Sequence, residues 1–502
     1  MLLLFLTPAV ETCDDNSGRQ FAFMFLETQP SDTDMTLLVS NVNAETAVIE
    51  VFPPANPNLD IGGRYSYEVP PMTSRGIPIP AALKTSGGTG RSNLGFNVAS
   101  TQPVTIHGVN NNTGSCGGFM ALPIERLGYE YVAVGYWSSG DGTGDTITEL
   151  GVVATEDDDD TEVVIELKPG AASRVEFEGQ VYVSDGGNNL IRVVLSDYET
   201  LQIQAADASS DLTGARVYAT RPVAVFSGNV QVDIFGSAAD HIVEQLLPVG
   251  ASGQVFNLLT VPGRVGERYR VIALQPNTNV FTGVSDAVSQ AFLQNVGDVY
   301  TNSILTNTQV RADKEVLLVQ YSVGQFSEPE FRGEPAMLTA TPESNYKNVH
   351  TFSVPPSDAP ADVYTYVTLT TQAADQATLA SIYLDGDLIP LSAWNVVSSI
   401  GGNHFGAVMG VGAGLHRAYS SDPAVRFGAA VYGFVEEGCG FAYPAGMCLE
   451  YTLQVSNHCS THGSGGLKRS TVLLQCIEYV HLCFRPSAFC MTMYRYMFTH
   501  AR

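Results

Sequence analysis

The chain has 502 residues and a formal net charge of −26, from 51 acidic and 25 basic side chains. A protein this acidic repels phosphate, which argues against nucleic acid as a partner. Charged residues make up only 15 % of the chain and Gly reaches 48, with Val, Thr and Tyr frequent throughout. That composition reads as an all-β protein with many turns and excludes a helical or disordered one. Length alone allows two to four domains of ~100–200 residues, large enough to bury ordinary cores.

The N-terminal stretch Met1–Val10 (MLLLFLTPAV) is apolar and lacks a basic flank. Two readings stay open: a shortened secretion signal, whose apolar region spans roughly 7–15 residues, or a start inside a longer protein. No other stretch approaches the ~18 consecutive apolar residues of a spanning helix, so no membrane anchor is expected in this chain.

From Gly18 the chain alternates short β-type runs with turns. Met35–Asn41 (MTLLVSN) and Thr46–Phe52 (TAVIEVF) read as two strands joined by Val42–Glu45 as a hairpin. Period-two alternation places Ile49 and Val51 on one face, with Val48, Glu50 and Phe52 on the other. Gly87–Ser92 (GGTGRS) is a partial phosphate loop with Arg91 for Lys and Thr85 where the first Gly belongs. It is expected to be a flexible loop. Asn111-Asn112-Thr113 is the single glycosylation sequon, in a turn-rich segment after a strand at Val104–Val109; a glycan on Asn111 is expected if the chain is secreted.

A second strand pair, Gly151–Thr155 and Thr161–Leu167, is joined by Glu156 and the run Asp157, Asp158, Asp159, Asp160. Calcium takes several oxygen ligands, but the D-x-D-x-D-G rhythm is missing, so a solvated turn is the favoured reading over a metal site. Further strands follow at Arg268–Leu274 and Tyr364–Thr370, and Asp286–Asn295 is the best helical window. HExxH, GxSxG and CxxC motifs are absent, and no cofactor is called for.

The stretch that organises the rest is Asp211–Pro248 (DLTGARVYATRPVAVFSGNVQVDIFGSAADHIVEQLLPV). Arg216–Tyr218 and Val223–Phe226 read as short strands bounded by Thr-Gly, Arg-Pro and Ser-Gly turns. Gly214 precedes Pro222 by eight residues, and Gly95 precedes Pro103 by the same interval. Beyond each proline comes Leu-Pro and then a Gly that opens a strand: Leu122-Pro123 with Gly128, and Leu247-Pro248 with Gly253. Looser copies surround Pro342 and Pro423. Recurrence in fixed order means one β unit used several times, with a period of roughly 90–125 residues. The predicted architecture is about four tandem sandwich-like modules, near 18–127, 128–252, 253–345 and 346–448, with a propeller-like closed ring of blades as the alternative.

The run DLTGARVYATRPVAVFSGN followed by ADHIVEQLLPV resembles the N-terminal domain of the IgGFc-binding protein family. GRQFAFMF at Gly18–Phe25, ITELGVVAT at Ile147–Thr155 and VYGFVEEGCGFAYPAG at Val431–Gly446 agree with it. The likeness extends from about Gly18 to Cys448. It implies a non-enzymatic extracellular binding or adhesion domain of mucus or matrix, acting on a protein or glycoprotein ligand. On this match Asp211, Thr213, Gly214, Pro222, Gly228, Asp240, His241, Glu244, Gln245 and Pro248 carry the family motif, the Asp240–Gln245 group as a loop staple between strands. The family often has a cysteine just before its Asp-His pair; this chain has Ala239 there.

Asp240, His241 and Glu244 also invite an acid/base reading, because imidazole titrates near neutrality. With no nucleophile elbow beside them, structural hydrogen bonding is favoured. Cys13, Cys116, Cys439 and Cys448 admit three pairings; Cys439 with Cys448 and Cys13 with Cys116 are the shortest-range choice. After about residue 448 the chain turns basic (Lys468, Arg469, Arg485, Arg495, Arg502) and holds Cys459, Cys476, Cys483 and Cys490. Paired zinc-type spacing is missing, and this tail reads as foreign to the domain, with little order of its own. Two other functions stand beside adhesion: a lectin-like module, hinted at by Tyr136-Trp137 and Trp394, and a glycan hydrolase built on carboxylates. A place within a larger multidomain protein fits the first of the three.

Overall fold

A computed structural model describes residues 13–449, apart from 14, 30–33, 55–62, 113–114, 138–146, 156–159, 172, 186, 236–237, 265, 285–286, 326–332, 357–362, 400–402 and 436–438. Beyond 450 it describes the backbone of three strands, Cys459–Thr461, Leu474–Phe484 and Phe489–Phe498. The chain divides into two units, 1–450 and 451–502. The second holds those three strands as one antiparallel sheet, with Cys459 opposite Cys476 and Cys483 opposite Cys490. Among the described residues no helix is long and apolar enough to cross a membrane.

The first unit is all-β, built from several antiparallel sheets. Three long strands, Phe96–Asn112, Arg216–Asp233 and Thr308–Tyr321, each run through two half-sheets. The early part of each pairs with an opening strand: Gly18–Phe23, Gly128–Val132 and Gly253–Leu258 respectively. The late part pairs with a closing strand: Ser115–Met120, Ala239–Gln245 and Met337–Thr339. Between the halves the register against the opening strand slips, which lets one strand serve two sheets that face each other. Pro103 and Pro222 sit at the first two slips, where a residue without an N–H removes no ladder bond. Nearer the end the long strand is divided, Gly414–Ser420 and Gly428–Val435 flanking Pro423. Gly428–Val435 pairs with the closing strand Cys439–Gly446.

Several expectations change on this scaffold. Arg216–Tyr218 and Val223–Phe226 belong to one strand, because the Arg221-Pro222 and Ser227-Gly228 steps are absorbed as irregularities within it. Val42–Glu45 is no hairpin: Asp34–Asn41 and Ala47–Phe52 each pair with Phe96–Asn112, one per half-sheet. Asn41 holds the corner between them by donating Nδ2 to the carbonyls of Glu45 at 2.8 Å and Val69 at 2.9 Å. Thr148–Ala154 and Thr161–Glu166 likewise flank Arg216–Asp233 instead of pairing together. Ala287–Leu293, the helical window, is a strand on Thr278–Val284; alternation of exposed Phe292 with buried Leu293 suits a sheet, and pairing overrides local preference. Gly90–Ser92 is a short edge strand on Thr200–Gln204, not a free loop.

The predicted alternation of Ala47–Phe52 holds, with Ile49 and Val51 buried and Val48, Glu50 and Phe52 partly exposed. Cores of successive sheets are continuous. Val153, Ala224, Phe226 and Val243 pack into the cluster of Phe21, Phe23, Phe96 and Phe119. Ile272, Leu317, Val319 and Tyr321 pack into that of Val152, Val217 and Val225.

The repeated Leu-Pro and Gly signature now has a physical cause. Pro123, Pro248 and Pro342 each introduce a 3₁₀ turn, and each ring lies on the glycine that opens the same stretch: Gly18, Gly128 and Gly253. A Cβ on any of the three would collide with the proline ring.

All four cysteines of this unit are paired, as Cys13–Cys448 and Cys116–Cys439, with Cα separations of 5.6 and 5.2 Å. The short-range choice fails on geometry. Cys439 begins the strand that ends at Gly446, and extended chain of that length separates its ends by ~25 Å. Cys116 and Cys439 lie instead on two closing strands that run side by side. Two disulfides accord with an oxidising compartment.

Replacing Gly128 by Ala puts a Cβ 2.6 Å from Pro248 Cβ. The expected loss is about 1–3 kcal/mol, as for other overpacked sites. Urea denaturation of Gly128→Ala beside a surface control such as Ala377→Ser checks it.

Candidate functional site

The motif residues converge on the strand Ala239–Gln245, which is buried from Asp240 onward. It is a strand, not a loop, so its side chains alternate: Asp240 and Glu244 leave one face, His241 and Gln245 the other. That parity already separates the Asp-His pair as a joint acid/base.

Asp240 joins two other closing strands. Its Oδ1 accepts from Cys116 N at 2.8 Å and its Oδ2 from Gly440 N at 3.2 Å. Both donors adjoin the Cys116–Cys439 disulfide, so one carboxyl and one covalent bond tie the same two strands. Glu244 Oε1 accepts from Thr339 N at 2.8 Å, and Gln245 Oε1 accepts from Leu122 N at 3.0 Å. His241 Nδ1 donates to the carbonyl of Asn229 at 2.8 Å. Asp240–Gln245 lies in a strand, not a loop, and Ala239 pairs with Asp233 at its start.

Burial pushes the Asp240 carboxyl well above its ordinary range, against the lowering effect of its Ser115 and amide donors, with Glu334 adding to the rise. Burial raises Glu244 in the same way, opposed by the Thr339 amide. His241 is held down at about 4, again chiefly by burial. Glu149 Oε1 lies 3.7 Å from His241 Nδ1, but burial drives the Glu149 carboxyl upward while it lowers His241, so burial opposes an ion pair between them.

A second cluster gathers the other motif residues. Asp211 Oδ1 accepts from Thr213 N at 2.8 Å, and Gly214 takes the left-handed conformation at φ 87° that a side chain would strain. The carbonyl of Gly135 accepts from Thr213 Oγ1 at 3.2 Å, Arg270 Nη1 at 2.6 Å and Tyr321 Oη at 3.0 Å. Thr155 Oγ1 donates to the carbonyl of Pro222 at 3.0 Å. Gly228 lies so near the Ile242 carbonyl that no Cβ fits. Every motif side chain is engaged by framework.

Glu149, Asn229, Arg270 and Thr339 were not singled out from the sequence. Glu149 carried one usable signal, a lone acid inside the apolar run of Ile147–Thr155. Of the aromatic hints of a sugar-binding face, Tyr136 and Trp394 are internal, 7 % and 8 % exposed, whereas Trp137 is half-buried and donates its indole N–H to the Ala208 carbonyl at an exposed edge. Asp157, Asp158 and Asp159 lie outside the described residues, and Asp160 accepts from Ser196 Oγ at 3.1 Å. No cluster of three or more metal-ligating side chains occurs among the described residues. Asn111 lies within the strand Phe96–Asn112, paired to Asp34 and Cys116, at the end of a hairpin; the strand runs further than the expected Val104–Val109.

A family model described as IgGFc binding protein matches residues 117–433, which takes in the motif residues Asp211–Pro248 but not Cys116 or Gly440. The chain belongs to this family. It is also similar to the human IgGFc-binding protein, 31 % identical over 157 residues, which is 31 % of this chain and 3 % of that protein. The chain therefore matches only a small part of that relative's length.

Two expected outcomes follow from the buried groups. A carboxyl whose pKa is raised on folding contributes stability that is full below its unfolded value near 4 and lost as pH rises through the folded one. Glu244→Gln keeps an acceptor for Thr339 N but no longer titrates, so its advantage over the parent grows from pH 5 to pH 8, whereas Glu244→Ala loses about 1–3 kcal/mol at pH 5 and less at pH 8, because it too escapes the titration. Urea midpoints at the two pH values measure this. His241 acts in the other direction: its neutral form stabilises above 6.5, and this is lost as pH falls toward about 4. His241→Gln should therefore flatten the acid limb of a stability–pH curve.

Proposed function

We propose that this unit is a non-enzymatic extracellular binding or adhesion domain whose loops contact a protein or glycoprotein ligand. One observation carries the reading. The family motif is engaged in backbone hydrogen bonds from separate strands, so it specifies a rigid scaffold and leaves recognition to the loops that the scaffold holds. Asp240, Glu244 and His241, the candidates for a hydrolase, are fully buried and occupied.

The finer architecture proposed is four sandwich-like modules, near 18–127, 128–252, 253–345 and 346–448, with the last meeting the first. Support comes from the three long strands with like pairing and from the three Gly–Pro contacts. The Asp15–Cys448 bridge and the Cys13–Cys448 disulfide bring the ends of the series together. A module this acidic favours a partner with a basic face.

The similar human protein is named for binding IgG Fc, which makes Fc the first ligand to try. Surface plasmon resonance of the chain over immobilised Fc, Fab and purified mucin is expected to give saturable binding to Fc or mucin that weakens with salt, and none to Fab. Silence on Fc and mucin overturns the adhesive reading. Glycan hydrolysis that disappears in Glu244→Ala would overturn its non-enzymatic part.

A further inference from the structure

A cavity of about 610 Å³ opens beside the turn that follows Pro342, away from the Ala239–Gln245 strand. Its polar wall comes from Glu343, Tyr346, Gln372, Thr378, Asn403 and Arg426, and the rest is small: Ala373, Ala374, Ala424 and Val425. The volume falls within the ~300–1,000 Å³ of ordinary small-molecule sites.

Glu343 is set in place with unusual care. Its Oε1 accepts from Asn257 Nδ2 at 2.6 Å and Gln309 Nε2 at 3.4 Å, and lies 2.8 Å from His404 Nε2. Three separate strands supply those groups, Gly253–Leu258, Thr308–Tyr321 and His404–Gly410. All the contacts fall on one oxygen, which fixes the carboxylate plane and leaves Oε2 as an acceptor for a ligand. Although burial opposes ionisation, the contacts with His404 and Asn257 outweigh it and keep the pKa below the ordinary value. Tyr346, the next lining group, is itself locked by hydrogen bonds with Thr370 Oγ1 at 2.6 Å and Asn257 Nδ2 at 3.2 Å.

The remaining lining groups are mostly donors. Gln372 and Asn403 are exposed, and their side-chain amides make no hydrogen bond among the described residues. Arg426 touches Cys448 Sγ through Nη1 at 3.8 Å. A fixed anionic acceptor beside side-chain amides, which donate and accept, matches a group that does both, which is the property of neighbouring hydroxyls. The other wall is made of small residues, Ala373, Ala374, Ala424 and Val425, with no large apolar or aromatic side chain to grip a lipophilic ligand. Glu343 and the overall charge of −26 oppose an anionic one.

We propose that this cavity binds a neutral saccharide, with Glu343 accepting from its hydroxyls and the Gln372 and Asn403 amides donating to them. Such binding requires no protein ligand, so its failure and the failure of Fc recognition are separate results.

The test is saturation-transfer NMR and titration of the full chain. The probes are methyl glycosides of galactose, mannose, N-acetylglucosamine and N-acetylgalactosamine, with methyl N-acetylneuraminate glycoside as the acidic comparison. At least one neutral glycoside is expected to saturate. Its affinity should fall about tenfold or more in Glu343→Gln and in the double variant Gln372→Ala/Asn403→Ala, the loss of one or two hydrogen bonds. The double variant changes only exposed side chains, and an unchanged melting temperature confirms its fold. To separate free sugar from protein-borne sugar, a glycoprotein with neutral glycans is compared before and after enzymatic deglycosylation, and only the glycosylated form should bind. No neutral glycoside bound at ~50 mM, a preference for the acidic one, or equal affinity in both variants overturns the proposal. So does equal binding of the deglycosylated protein.

Discussion

Two carboxyl groups on one buried strand hold three others. Asp240 receives amides from Ser115–Met120 and Cys439–Gly446, and Glu244 receives one from Met337–Thr339. Each of those strands closes a different stretch of chain, and edges brought together at a centre leave N–H groups that no ladder satisfies. An apolar side chain at either position would bury such amides unpaired, at about 1–3 kcal/mol each. The acids serve the interior as acceptors for the framework, and burial raises the pKa of both carboxyls as a consequence. Around this junction the rest of the unit is arranged: bent strands shared by two half-sheets, cores that run from one sheet into the next, and a disulfide beside Asp240.

Much of this was legible from the residues themselves. The all-β class followed from composition, the alternation of Ala47–Phe52 from its period, and the spacing of Leu-Pro and Gly from contacts that only glycine permits. What stayed hidden depends on distance along the chain. Nothing local to Val42–Glu45 says that the flanking strands part to either side of Phe96–Asn112, a partner about fifty residues away. Pro222 looked like a stop because proline usually ends pairing, but at a register slip it breaks nothing. The short helical pattern at Asp286–Asn295 lost to pairing with the adjacent strand Thr278–Val284, because pairing overrides local preference.

The candidate site shows the same division. The sequence singled out Asp240, His241, Glu244 and Gln245, and all four side chains hydrogen-bond backbone groups of other segments. Their partners were unreadable, since Thr339 and Gly440 contribute backbone amides that no side-chain motif marks. The cavity at Glu343 left still less trace. It is assembled from single polar residues on four separated segments, each unremarkable where it stands. Family membership then describes the scaffold, and differences among members are to be sought in the segments the scaffold carries.

The bond between Cys13 and Cys448 closes a loop of 435 residues. Its two ends therefore leave the unit at one point. A pull on the chain from both sides of that bond would pass through the sulfur atoms and bypass the sheets that lie within the loop. Reduction of that single bond would turn a mechanical bystander into the part that yields.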